Sequence, residues 1–201
     1  EVNRWTDMLP IVLPTEARVE AMLKRTSHPP DKNVGRLRPT DFRESWEFDV
    51  EKVAVNAVMA GARPEYFPVI LALASSGITA RSSSTTSFAT IPVINGPIRN
   101  ELAMNSGIGV MGPYNHANAT IGRAYGLLSQ NLQGGSVPNE SYMGSQGNWY
   151  AYTAVIPEAE ERSPWQPLHV QKGFKPTDSI TSIFLGGWYT HAGYGPRATW
   201  K

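Results

Sequence analysis

The sequence predicts an α+β fold, built as a single domain that spans residues 1–201. Apolar residues recur at helical spacing in the first half of the chain, whereas the alternation typical of strands comes mostly after residue 88. No internal repeat is visible, and a hydrophobic content of 41% suits a globular domain with its own core. A short βαβ unit over 88–156 is the alternative, and it would make the fold α/β.

Residues 1–48 are predicted to hold a helix and an exposed connector. Thr15 is a good capping residue, and apolar residues follow it at helical spacing within 14–26. The connector, 27–39, contains two adjacent prolines and several charges, which is typical of a segment exposed to solvent.

Residues 49–185 are predicted to form the core. Asp49 caps an apolar helix that ends at Gly61, and a second apolar helix covers 64–77. The further predicted elements are a strand over 88–95, a short helix within 96–105, a helix from Asn118 to Leu132, and strands over 149–156 and 179–189. Pro92 suggests that the first of these strands is kinked or lies at a sheet edge. An aromatic, glycine-rich tail, 186–201, follows the core.

The composition excludes several classes of function. A net charge of +1 with scattered Lys and Arg gives no basis for binding nucleic acid or an anionic membrane, and no apolar run reaches the length of a membrane span. The absence of cysteine excludes disulfides and thiolate sites. The four histidines lie far apart in sequence, so we predict no local metal motif, and the alternative is a site assembled from distant histidines. The expected location is the cytoplasm.

The stretch GPYNHANATIGRAYGLL, residues 112–128, crowds amide and imidazole side chains where a helix begins. The first turn of a helix has unpaired N–H groups and a partial positive charge, so anions bind there readily. His116 is the catalytic candidate, because an imidazole exchanges protons near neutral pH. The substrate-binding candidates of this stretch are Asn115, Asn118, Thr120 and Arg123. The alternative is structural: an asparagine caps the helix and Arg123 pairs with a surface acid.

A second polar stretch, VINGPIRNELAMNSGIG, occupies 93–109. Asn95, Arg99 and Asn105 follow the end of a predicted strand, where α/β proteins often bind ligands. Asn-Gly-Pro is also ordinary turn chemistry, which is the alternative. We expect these residues to share one pocket with His116 and Arg123. We expect the three glutamates of 158–170 to lie on a solvated face and not to act as paired catalytic acids. We expect Arg63 and Glu65 to form a structural ion pair.

Three blocks carry a resemblance to known proteins: VEKVAVNAVMAGARPEYFPVILA, INGPIRNELAMNSGIGVMGPYNHANATIGRA and SPWQPLHVQKGF. They resemble a set of largely uncharacterised bacterial proteins, related to or encoded with proteins that carry a selenocysteine-or-cysteine–Gly–Ser–Cys (UGSC) motif. The resemblance covers roughly residues 50–180. It implies thiol or selenol redox chemistry in the motif-bearing partner. It also implies that this cysteine-free chain is a companion subunit or supplies half of a site.

Two hypotheses of function follow. The first is an enzyme, redox or otherwise, or the substrate-binding subunit of one, acting on a small polar or anionic molecule; no cofactor is predicted. The second is a non-catalytic subunit for interaction or assembly. The aromatic tail and the small-residue stripe Gly122, Gly126 and Ser129 favour close packing against a neighbour, so we expect a homo- or hetero-oligomer, with a thiol or selenol motif protein as one partner.

Overall fold

A computed structural model describes residues 6–7, 9–37, 46–78, 80, 90–110, 112, 114–132 and 155–185. The helices are α1 (Glu16–Leu23), α2 (Val50–Met59), α3 (Phe67–Ser75, after a 3₁₀ turn at Pro64–Tyr66), α4 (Ile98–Glu101), α5 (His116–Leu132) and α6 (Leu168–Gln171). The strands are β1 (Asn33–Leu37), β2 (Trp46–Asp49), β3 (Thr90–Asn95), β4 (Ile156–Pro157) and β5 (Ile180–Leu185). The predicted α+β class is confirmed.

Helices α2, α3 and α5 enclose the hydrophobic core. Their fully buried residues include Val53, Phe67 and Ile121. Helix α2 begins as predicted, since the Asp49 carboxylate accepts a hydrogen bond from the Lys52 N–H at 2.8 Å. The close packing predicted for the small-residue stripe of α5 is met within this chain, because all three of its residues are buried.

Two small sheets complete the architecture. Strands β1 and β2 pair antiparallel, and β3 lies between β4, to which it is parallel, and β5, to which it is antiparallel. Helices α4 and α5 come between β3 and β4 in the chain. The parallel pair therefore has the connection expected of the βαβ alternative, inside an α+β fold.

Two predictions about the strands are wrong. The supposed connector 27–39 contains β1, because β2 offers it a pairing partner and Val34 packs partly buried against the core. Of the two alternatives for Pro92, the edge position is wrong, because β3 is the middle strand of its sheet, and the kink stays a prediction. Pro92 is tolerated there because the pairing of β3 with β4 covers only Val93 and Ile94 among the described residues.

Two further predictions lie partly or wholly outside the described residues. The predicted strand 149–156 is described only at residues 155 and 156, and the aromatic tail 186–201 lies outside the described residues.

Helix α5 begins two residues earlier than predicted, at His116. No described helix is long and apolar enough to cross a bilayer. The described residues likewise contain no group of acidic or histidine side chains arranged to hold a metal ion.

Candidate functional site

A partly buried polar cluster lies where β3 ends. We call it the strand-end cluster, and it consists of Asn95, Arg99, Glu158, Glu160, Glu161 and His169. Gly96 turns the chain out of β3 with φ +85°, and a side chain at this position would overlap the carbonyl oxygen of Asp178. This turn leads directly into α4, which carries Arg99 back over the end of the strand.

Asn95 is completely buried and binds two carboxylates through its amide nitrogen. Nδ2 donates to Glu158 Oε2 at 2.5 Å and to Glu160 Oε1 at 2.9 Å. The nitrogen must be the atom that faces them, because the amide oxygen would meet two acceptors. The carboxylates therefore fix the orientation of the amide and turn Oδ1 to the other side.

Arg99 joins the three glutamates, although its side chain is only 5% exposed. It donates to the Glu158 carbonyl at 2.7 Å, and it pairs with Glu160 at 2.9 Å and Glu161 at 2.8 Å. Burial alone would lower the pKa of Arg99, but the carboxylates outweigh burial and raise it. The hydrogen bond from Arg99 in turn lowers the pKa of Glu161 to about 2.

Three buried atoms of the cluster have no hydrogen-bond partner among the described residues: Asn95 Oδ1 and both ring nitrogens of His169. The His169 side chain is fully buried, and its Nδ1 lies 3.9 Å from Glu160 Oε1. Buried polar atoms are nearly always bonded, and each unsatisfied one costs about 1–3 kcal/mol. Such atoms require a partner that is not among the described residues, which is either ordered water or a bound group.

Sequence reasoning located only Asn95 and Arg99 in this cluster. It placed the glutamates on a solvated face, which is wrong for Glu160, because its side chain is only 13% exposed. It did not single out His169. The available signal was the apolar and proline-rich surroundings of Glu158–Val170, which are unusual for a solvated acidic segment.

The asparagines at the start of α5 form a separate network. Asn115 caps the helix by accepting from the Asn118 N–H at 3.0 Å, and its Nδ2 donates to the Ala103 carbonyl. Asn118 binds both backbone groups of Asn105, at 3.2 and 2.8 Å. Thr120 donates to the His116 carbonyl at 2.7 Å. The Asn115 cap is the contact that the structural alternative predicts, whereas the bonds of Asn118 to Asn105 and of Thr120 to His116 were not predicted.

The side chain of His116 contacts Tyr66, which lies outside the asparagine network. Its Nδ1 lies 3.4 Å from the Tyr66 hydroxyl, and desolvation together with the charge of Arg63 lowers the pKa of the imidazole. The predicted pairing of Arg63 with Glu65 is wrong, since Glu65 pairs with Arg25 at 3.0 Å. Arg63 is therefore a cation near His116 that sequence reasoning did not assign to a site.

Arg123 lies further along α5 and is held by the N-terminal segment. It binds both oxygens of Asp7 at 2.9 Å and the Pro10 carbonyl at 2.8 Å. The acid is buried, with only 5% of its side chain exposed, so the surface acid of the structural alternative is not its partner. Burial raises the pKa of Asp7, but Arg123 outweighs burial and holds it below its ordinary value.

The contacts thus bring the candidates together in groups. Asn95 and Arg99 share one cluster, while Asn105, Asn115, Asn118 and Thr120 belong to the start of α5. The two groups are joined through the end of α4, where the Met104 N–H donates to the Arg99 carbonyl at 2.9 Å. A single pocket shared by both groups stays a prediction.

Replacing Asn118 with alanine is expected to lower the free energy of unfolding by about 1–3 kcal/mol, because the buried Asn118 amide is lost and the partly buried backbone groups of Asn105 are left without partners. Urea denaturation measures the loss. The matched control is Asn33→Ala, whose amide also makes two hydrogen bonds but is exposed. Equal losses in the two variants would contradict a buried role for Asn118.

The protein is expected to lose stability as the pH falls from about 5 to about 2, as thermal unfolding followed by circular dichroism would show. Asp7 and Glu161 have lowered pKa values in the folded chain, so they stabilise it above their unfolded values and lose that effect as the pH falls. For Glu161 the loss runs from 4.5 to about 2. Glu161→Gln should flatten that part of the curve. A melting temperature that rises toward acid would contradict the assignment.

Comparison of the chain with protein-family models, with curated proteins and with solved structures gives no match in any of the three.

Proposed function

We propose that this chain is an enzyme, or the substrate-binding subunit of an enzyme, that acts on a small polar molecule at the strand-end cluster. The observation that carries the proposal is the set of unpartnered buried atoms on Asn95 and His169. A binding site is the place where such groups persist, because the ligand supplies their partners. The cluster also lies at the carboxyl end of a strand in a parallel pair.

His169 and Glu160 supply the chemistry of this proposal. A neutral imidazole whose Nδ1–H points toward the Glu160 carboxylate keeps a lone pair on Nε2. That nitrogen is suited to accept a proton from a bound molecule, and Asn95 Oδ1 is suited to accept a hydrogen bond from it. Arg99 acts as a positioning residue, because it holds the carboxylates that orient both groups.

An anionic group of the substrate is better placed at the start of α5. The strand-end cluster repels anions through its carboxylates, whereas His116 lies at a helix N-terminus near Arg63 and Tyr66. Desolvation and the charge of Arg63 lower the pKa of His116, which favours the neutral imidazole, and a neutral imidazole is suited to take up a proton. It remains our second candidate for proton transfer.

Replacing Arg63 with methionine is expected to raise the pKa of His116, because it removes the nearby positive charge. The measurement is an NMR titration of the His116 ring protons. Arg18→Met is the control. Arg18 lies in α1 and donates to the Leu13 carbonyl, so its replacement should leave the titration of His116 unchanged. A titration that is identical in both variants would contradict the placement of Arg63 beside His116.

The proposed function is tested by an NMR screen of small polar compounds against the full chain. Binding compounds should shift the side-chain amide signals of Asn95, and Asn95→Ala should abolish binding. Asn56→Ala is the matched control, because Asn56 is also buried and also uses both amide atoms, but in α2. The proposal is wrong if no compound shifts Asn95, or if both variants bind alike.

An assembly subunit is the second candidate function. Ile108 is fully exposed and Tyr114 is 85% exposed, in a segment that Asn105 and Asn115 tie down at both ends. Exposed large apolar side chains on an ordered segment favour contact with another protein. Light scattering of the wild type and of Ile108→Ser tests for a homo-oligomer. The companion suggested by the resemblance, a thiol or selenol motif protein, is tested by the same measurement on the mixture.

A further inference from the structure

The strand-end cluster contains more carboxylates than cations. Glu160 and Glu161 pair with one guanidinium, that of Arg99, and Glu158 shares the Asn95 amide nitrogen with Glu160, so two negative charges are in excess when His169 is neutral. Glu161 is 63% exposed, so water screens its charge. The remaining two carboxylates still outnumber the single cation in the buried part. Buried charges are normally paired, so this excess calls for another positive group.

Among the described residues, the neighbouring basic side chains of the same segment make no hydrogen bond or ion pair with these carboxylates. The Arg162 guanidinium lies beside Gly107, near the Asn105 side chain, and Lys172 and Lys175 are exposed. The ring of His169 lies 3.9 Å from Glu160, beyond hydrogen-bond distance. The Asn95 amide binds both carboxylates but is neutral.

The unpartnered atoms agree with the charge excess. Asn95 Oδ1 is an acceptor, and a neutral His169 presents one acceptor nitrogen. Both residues lie against the same oxygen, Glu160 Oε1, at 2.9 Å from Asn95 Nδ2 and 3.9 Å from His169 Nδ1. A group that carries positive charge and several N–H donors would supply what both the carboxylates and the acceptors lack.

We infer that the strand-end cluster binds its ligand through an ammonium or alkylammonium group, with His169 and the excess carboxylates as its partners. This inference rests on the proposed function and narrows its substrate class to amines. Glu161, which is the most exposed member, marks the side from which such a group reaches the cluster.

The test is an NMR titration of the full chain with methylammonium chloride, ammonium chloride, sodium acetate, sodium phosphate and formamide at constant ionic strength. Methylammonium is expected to shift the Asn95 side-chain amide and the His169 ring with a Kd of roughly 1–100 mM, the range for a ligand with so few atoms. Ammonium binding as tightly as methylammonium would identify the free ion as a sufficient ligand, which also supports the inference. Acetate and phosphate should leave both signals unchanged.

Two variants locate the binding. Glu160→Gln should weaken methylammonium binding about tenfold, since it removes a charged partner. Glu65→Gln should leave binding unchanged, because Glu65 pairs with Arg25 and does not belong to the strand-end cluster. The comparison of methylammonium with acetate uses the wild-type chain alone, so it decides the question even if the Glu160→Gln chain does not fold.

The outcomes separate the inference from the proposed function. If formamide or a compound of the wider screen shifts Asn95 while methylammonium does not, the site stands and the inference of an amine ligand is overturned. Acetate or phosphate binding at Asn95, or an imidazolium form of His169 in the free protein at neutral pH, overturns it as well. If no compound shifts Asn95, both proposals fall.

Discussion

Replacing Arg99 with methionine is expected to lower the free energy of unfolding by about 3–5 kcal/mol, the cost of breaking a buried ion pair by removing one partner. Methionine has a similar length but no charge. Glu160 would then be left 13% exposed without its cation, and the Glu158 carbonyl without its donor. Equilibrium unfolding in urea measures the loss.

Arg25→Met is the matched control for this experiment. Arg25 also pairs with a glutamate at 3.0 Å, but both side chains are about half exposed, so the expected cost is at most about 1 kcal/mol. Arg99→Lys should fall between the two, because lysine keeps the charge and loses the planar set of donors. Equal costs for Arg99→Met and Arg25→Met would show that the strand-end cluster contributes no more than a surface pair.

Replacing Gly96 with alanine is expected to cost more than the roughly 1–3 kcal/mol of a strained left-handed residue. The φ of +85° is unfavourable for alanine, and the added methyl group would overlap the Asp178 carbonyl oxygen. The turn must therefore move, and the Gly96 N–H would lose its bond to Glu160 at 2.8 Å. Thermal unfolding and the NMR signal of Asn95 report both effects.

Gly77→Ala separates conformational strain from overlap. Gly77 also has a positive φ, +67°, but nothing lies within 4 Å of an added methyl group. Its expected cost is about 1 kcal/mol, the backbone contribution alone. If Gly96→Ala costs no more than Gly77→Ala, the contact with Asp178 is not close in solution.

The helices were predictable because their signals are local. Asp49 caps α2 as its residue type predicts, and helical spacing identified the buried faces of α2 and α5. Strand β1 was missed because its stability depends on β2, which lies beyond the segment that the pattern covers. Pro92 misled for the same reason, since the extent of its neighbour β4 is set by tertiary structure.

The site was only partly predictable for a related reason. Asn95 and Arg99 stand out locally, after a strand and a turn, but their partners come from a distant acidic segment, and no local pattern shows that this segment packs at the end of β3. Arg123 had the residue type of an anion-binding group, yet Asp7, more than a hundred positions earlier in the chain, is bound to it. The partner of a charged side chain is decided by the fold, and residue type alone does not reveal it.

The separation in sequence between Asn95 and Glu158 has a consequence for folding kinetics. The two residues are 63 positions apart, and β3 and β4 pair over the same interval. A loop of this length loses entropy when it closes, before any contact between its ends repays the loss. Helices α2 and α3 need no such closure, so we expect them to form first and the strand-end cluster to assemble near the end of folding. Mutations in this cluster would then change mainly the rate of unfolding, and with it the lifetime of the native chain.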